Sequence, residues 1–274
     1  MPVQNDDKET TTFVYDPYSP KQIALHVERT GIKKAKLESI PTLLLSILAG
    51  AFIAIGGAFY TIVITESGMG IGPTRLLGGL AFSTGLILVV VGGAELFTGN
   101  NLIVMAWADK KVTSLQLLRN WGIVYIGNII GSLFIAALIA GSGILYNEDG
   151  KFAQTAIRIS EHKLALLPLE AFIRGILCNM LVCLALWLCF AARSVVGKVF
   201  SIIFPVSAFV ALGFEHSVAN MYLIPVAWFL EPMNINLAGL LSNLVMVTMG
   251  NIIGGGGFVA FIYWAIYIRK IEKK

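Results

Sequence analysis

Five long stretches of this chain carry no formal charge: Pro41–Thr65, Leu76–Ala94, Asn120–Asn147, Gly175–Ala192 and Pro232–Ile268. A helix of roughly 20 apolar residues spans a bilayer, and water-soluble domains carry charge at about one residue in four. Here only 13% of residues are charged and 57% are apolar. These stretches predict an all-α membrane protein that crosses the bilayer several times. Residues 1–19 are polar and lack the apolar core of a cleaved signal peptide.

Two apolar stretches are too long for one plain helix, and each is interrupted at its middle. Leu76–Ala108 runs 33 residues with Glu95 as its one charge, and Val199–Leu230 runs 32 residues with only Glu215 and His216. Each is expected to be a discontinuous span: half-helix, irregular loop, half-helix. Continuous helices are expected near 38–65, 114–143, 164–192 and 236–268, giving six spans. Lysines and arginines collect before the first helix (Lys33, Lys34, Lys36), between the second and third (Lys110, Lys111, Arg119), between the fourth and fifth (Arg193, Lys198) and at the end (Arg269, Lys270, Lys273, Lys274). The alternate connections are poor in net positive charge, including a balanced loop over 144–163. The positive-inside rule then puts both termini in the cytoplasm. The expected division is 1–36 as a cytoplasmic tail with a short helix, 37–269 as the transmembrane channel domain and 270–274 as a cytoplasmic tail. Ser19-Pro20 starts the short helix, with Ile23, Ala24 and Val27 as its apolar stripe.

The chain also repeats itself. Gly93-Ala-Glu95-Leu-Phe-Thr-Gly-Asn100 matches Gly213-Phe-Glu215-His-Ser-Val-Ala-Asn220 at an offset of 120. The pentapeptide GNIIG stands at 127–131 and again at 250–254, an offset of 123, and Ala51-Phe52-Ile53 returns at 171–173, an offset of 120. Three spans per copy make an inverted 3+3 repeat with its broken helices, the second and fifth, in corresponding places. That pattern points to a transport site near the membrane midplane. Irregular backbone at such depth must be buried or line a cavity. Thr98 and Ser217 stand where helix N-caps are expected, and two half-helix N-termini aimed at one region suit a small anion. Glu95 and Glu215 are expected to brace the loops by accepting from loop N–H groups. His216 faces Leu96 in the other copy, so it breaks the symmetry and is expected to line the pore. Gly254–Gly257 reads as a helix-packing surface.

Other chemistry finds little support. Cys178, Cys183 and Cys189 lie in one span without metal-ligand spacing, and no cofactor or metal motif is present. The basic residues cluster at span ends, which gives no nucleic-acid signal. An intramembrane enzyme built on Glu215–His216 would need a nucleophile or metal set, and adjacent side chains diverge.

GFEHSVANM, GAELFTGN and GNIIGGG together resemble the formate/nitrite transporter family, and its formate channels most closely; the likeness covers nearly all of the chain from about residue 20. The resemblance implies an aquaporin-like protomer with its own pore, a homopentamer in a prokaryotic plasma membrane, and no enzymatic activity. It implies that His216 and Thr98 line a central chamber with Asn251 and Asn179 as polar neighbours, and that Lys163 draws anions to the outer mouth. It implies constrictions at Phe82 and Phe209 and at Leu86, Leu96 and Phe97, and a gating role for the N-terminal helix. The expected substrate is formate, with nitrite or hydrosulfide as alternatives within the family and a neutral solute as a further one. A carboxylic acid of pKa roughly 4 is about a thousandfold more ionised than neutral at pH 7. Crossing an apolar constriction as an anion is costly, so His216 is expected to relay a proton to it.

Overall fold

The computed structural model describes residues 18–232 and 236–269. The helices are α1 (Pro20–Lys36), α2 (Ser39–Ile64), α3 (Ile71–Gly92), α4 (Phe97–Asn100), α5 (Val104–Ala108), α6 (Ser114–Gly141), α7 (Lys151–Leu164), α8 (Pro168–Ala191), α9 (Val195–Leu212), α10 (Ser217–Leu223), α11 (Pro225–Leu230) and α12 (Leu237–Asn251). The last continues as a π-helix over Ile252–Phe261 into α13 (Ile262–Tyr267). Among the described residues, six helices are long and apolar enough to cross a membrane: Ser39–Ile64, Ile71–Gly92, Ser114–Gly141, Pro168–Ala191, Val195–Leu212 and Leu237–Tyr267. The chain is a multi-pass, all-helical membrane protein.

Local chemistry explains the helix starts. Ser19 caps α1 and Thr113 caps α6, each in a capping box with a glutamine three residues on. The stripe of Ile23, Ala24 and Val27 is buried, as expected, and packs on the segment after α4 and on α5. Glu28 is buried beside it and meets Lys111 Nζ at 2.7 Å; burial raises this carboxyl above its usual pKa while the lysine pulls it down. The stretch 144–163, expected as a loop, is largely the helix α7. Phe152, Ala156, Ile159 and Ser160 fall on one of its faces and pack toward the core. Their helical spacing was masked by the balanced charges between them.

The two halves pack alike. α2 lies against α3 and α6, α8 against α9 and α12, and α3 crosses α9 between the halves. The final glycines of the two GNIIG copies make the contacts of α2 with α6, and of α8 with the π-helical continuation of α12, possible. A Cβ at Gly131 would overlap the carbonyl oxygen of Ile47, and one at Gly254 that of Ile176. Backbone contact this close needs a residue without a side chain. It also sets the register. Ile47 and Ile176 differ by 129, as do Leu45 and Arg174, which accept the Glu95 and Glu215 N–H groups. The Ala51–Ile53 match at an offset of 120 is therefore out of register by nine residues; it reflects the shared composition of apolar helices. Gly254–Gly256 pack against α8, the segment after α4 and α5, whereas Gly257, expected to belong to the same packing surface, has no described atom within 4 Å of an added Cβ.

Gly131→Ala is expected to lower stability by about 1–3 kcal/mol through overpacking. In the same helix, an added Cβ at Gly122 meets no described atom within 4 Å. Gly122→Ala should leave thermal unfolding in detergent unchanged or slightly raised; equal losses from both would refute close packing as the role of Gly131.

Candidate functional site

Both interrupted helices stop for the same reason. Gly93 (φ 75°) and Gly213 (φ 73°) take the left-handed conformation at the C-termini of α3 and α9. The following N–H groups fold back, Ala94 to Val89 O at 2.9 Å and Phe214 to Phe209 O at 3.0 Å. Glycine takes this conformation without Cβ strain. The chain then runs through Ala94–Leu96 or Phe214–His216 before helix resumes at Phe97 and Ser217.

The asparagines of the GNIIG copies hold these breaks. Asn128 Oδ1 accepts from Phe97 N (2.9 Å), and its Nδ2 donates to Ser46 O (2.7 Å) and Glu95 O (3.0 Å). Asn251 Oδ1 accepts from Ser217 N (2.9 Å), and its Nδ2 donates to Gly175 O (2.8 Å) and Glu215 O (3.0 Å). Asn251 thus spends its whole amide on backbone. Asn179 does likewise, donating to Thr98 O (3.2 Å) and Asn251 O (2.7 Å).

The glutamates hold side chains, not the loop N–H groups expected of them. Glu95 accepts from Lys34 Nζ (2.7 Å) and Asn100 Nδ2 (2.7 Å), and Asn100 also donates to Asn120 Oδ1 (2.9 Å). Glu215 accepts from Lys163 Nζ (2.9 and 3.0 Å) and Asn220 Nδ2 (2.7 Å), and Asn220 donates to Asn243 Oδ1 (2.8 Å). Asn120 and Asn243 close each set by donating to the backbone carbonyls of Lys34 and Lys163, at 3.1 and 3.0 Å. Lys163 keeps only 12% of its side chain exposed, so it is a brace more than a free charge at a mouth. Removing one partner of such a pair strands the other and costs about 3–5 kcal/mol.

The halves differ at His216. Its ring caps α10, with Nδ1 accepting from Ala219 N at 3.0 Å, and Nε2 lies 2.9 Å from Thr98 Oγ1. Because a backbone N–H only donates, Nδ1 must hold the lone pair, and Nε2 carries the proton and donates to Thr98. The N-caps are therefore Leu96, which makes no side-chain cap bond, and His216; Thr98 and Ser217 lie inside their helices. Glu215 and His216 spend their side chains on separate partners, and among the described residues no cluster of three or more His, Cys, Asp or Glu could hold a metal.

Two cavities flank this pair. One, of about 370 Å³, is lined by α1 and the first break and includes Lys34, Leu86, Glu95 and Leu96. The other, of about 400 Å³, is lined by α7 and the second break and includes Phe82, Lys163, Phe209 and His216. Phe82 and Leu86 stand one turn apart on α3, so roughly 6 Å of helix separates the levels they mark. The Phe82 and Phe209 rings pack edge to face at 5.8 Å, and Phe209 stacks on His216 at 6.0 Å. Phe97 lines neither cavity; its ring packs on Trp121 and Tyr125.

The family model described as "Formate/nitrite transporter" matches residues 21–265. The chain belongs to the formate/nitrite transporter family. It is similar to the formate channel FocA of Escherichia coli, 39% identical over 275 residues, covering 93% of this chain and 96% of that protein. FocA of Haemophilus influenzae is 40% identical over 256 residues, covering 86% and 90%. A solved structure described as "Pentameric formate channel with formate bound" superposes with a TM-score of 0.78 at 42% identity, covering 84% of this chain and 98% of that one.

Within this transporter fold, sequence reasoning missed Asn120, Asn243 and Lys34, and it gave Lys163 the role of drawing anions rather than that of a brace. Asn120 and Asn243 share the 123 offset of GNIIG and were legible from it. Lys34 and Lys163 share the 129 offset seen only in packing. Asn128→Ala and Asn251→Ala should each orphan one N–H and two carbonyls and lower stability by roughly 3 kcal/mol or more. A wild-type unfolding temperature for either variant would remove the asparagines from the role given them.

Proposed function

We propose that the chain is a channel for formate and related small monovalent anions, with one pore in each protomer of a homopentamer in a prokaryotic plasma membrane and both termini cytoplasmic. It moves its substrate without converting it. The observation that carries this reading is the pair of cavities separated by about one turn of apolar side chains, with the buried Thr98–His216 pair beside the gap. The names of the FocA relatives and the formate-bound neighbour support formate as the anion.

The two polar residues act as a donor pair. His216 Nε2–H occupies Thr98 Oγ1, which leaves the Thr98 hydroxyl proton for an anion. A relay of the kind expected from sequence would require an imidazolium, and its second proton belongs on Nδ1, where the Ala219 N–H points. Each relay cycle would break the cap of α10. We therefore take the proton that accompanies formate to come from water in the cavities, with the apolar turn favouring neutral acid over anion.

The test is flux into proteoliposomes. Formate should move faster than nitrite or hydrosulfide, and glycerol should not move; glycerol flux would overturn the anion reading. His216→Asn keeps a favoured N-cap residue and removes titration. It should retain proton-linked formate uptake when followed with an internal pH dye from about pH 5 to 8. Loss of proton coupling in a folded variant would restore the relay.

A further inference from the structure

The α7-side cavity carries two arginines that the bracing does not use, where the α1-side cavity carries one such cation, Lys198. Lys163 is taken by Glu215, and Glu66 at the rim is taken by Lys151 at 2.8 Å. Arg75 and Arg158 also line this cavity and are exposed. Arg75 makes one hydrogen bond, to Ala211 O at 3.3 Å, and Arg158 one, to Thr155 Oγ1 at 3.1 Å. Among the described residues neither meets a carboxylate. Their positions in the other repeat are Val195, by the 120 offset, and Arg29, by the 129 offset, and neither lines the α1-side cavity. Two guanidinium forks with most of their donors free therefore stand at one mouth only.

We propose that Arg75 and Arg158 form an antechamber that holds small monocarboxylates, outside the phenylalanine pair and independent of it. A guanidinium matches a carboxylate with two parallel N–H···O bonds, whatever the rest of the acid carries. The cavity, at about 400 Å³, falls within the usual range for pockets that take molecules far larger than formate. Selection by size occurs beyond it, where Phe82 and Phe209 pack edge to face. A carboxylate too large for that step occupies the antechamber and excludes formate. Lys163 and His162 line the same cavity; the first is held by Glu215. The inference rests on the anion-channel reading and adds a site to it.

The experiment uses the full chain in proteoliposomes, at constant ionic strength, with gluconate replacing chloride on both faces so that the direction of insertion does not matter. Gluconate should raise the apparent KM for formate several-fold without changing the maximal rate. In Arg75→Gln/Arg158→Gln the competition should disappear. The KM of that variant without gluconate should be roughly 3- to 10-fold higher at low salt, because a focused field at a mouth raises arrival rates by tenfold or more. Arg75→Lys/Arg158→Lys keeps the charge and loses the fork, so it should recover the KM but little of the gluconate competition. Absence of competition in the unaltered chain, or equal competition in the glutamine pair, overturns the antechamber. Wild-type competition in the lysine pair overturns carboxylate recognition by the fork. Failure of formate flux in the unaltered chain would count against the channel itself, a distinct result.

Discussion

A helix broken inside an apolar span leaves backbone N–H and C=O groups that must find partners without water, and the rest of this structure depends on how that is done. Asn128 and Asn251 do it with the full capacity of one amide each: an oxygen for the first N–H of the resumed helix, two hydrogens for a carbonyl on the break and one on the neighbouring span. Because each asparagine is followed by a glycine that lets α6 or α12 touch its neighbour, the brace and the close packing come from one pentapeptide.

A second set of polar residues anchors the amphipathic helices to the breaks. Lys34 near the end of α1 and Lys163 near the end of α7 reach the glutamates of the first and second breaks. The repeat unit is consequently one amphipathic helix followed by three spans. The two cavities are mates under the same relation: Glu95 and Leu96 line one where Glu215 and His216 line the other. A passage with a vestibule on each side follows from repeating a single design in opposite orientation.

Much of this was legible in the sequence, and the parts that were not share a cause. Charge-free length set the six spans, and the glycines at 93 and 213 with their following glutamates marked the breaks. GNIIG marked the bracing asparagines, although their function as braces rather than pore residues needed the hydrogen bonds. The helix α7, Lys34 and the bracing role of Lys163 were missed because a half-buried amphipathic helix retains only a spacing, not a motif. The false match at 51 and 171 came from the opposite problem: apolar helices are alike in composition, so short identities arise without common position. The N-caps were misplaced by one or two residues because a serine and a threonine carry the propensity, while an extended backbone at Leu96 and His216 determines where the helix begins.

With the scaffold so evenly repeated, chemical character rests on the positions where mates differ. Leu96 corresponds to His216, Val218 to Thr98 and Val89 to Phe209. Ser217 likewise stands opposite Phe97, and of these polar residues Thr98 and His216 meet across the interface of the halves at 2.9 Å. That contact puts a hydroxyl and an imidazole where the mated positions hold valine and leucine. Phe209, stacked on the histidine and packed edge to face against Phe82, places two aromatic rings on the same side. The symmetry of the backbone provides a stable break in two helices, and the differing side chains at mated positions give the two sides of the break their different chemistry.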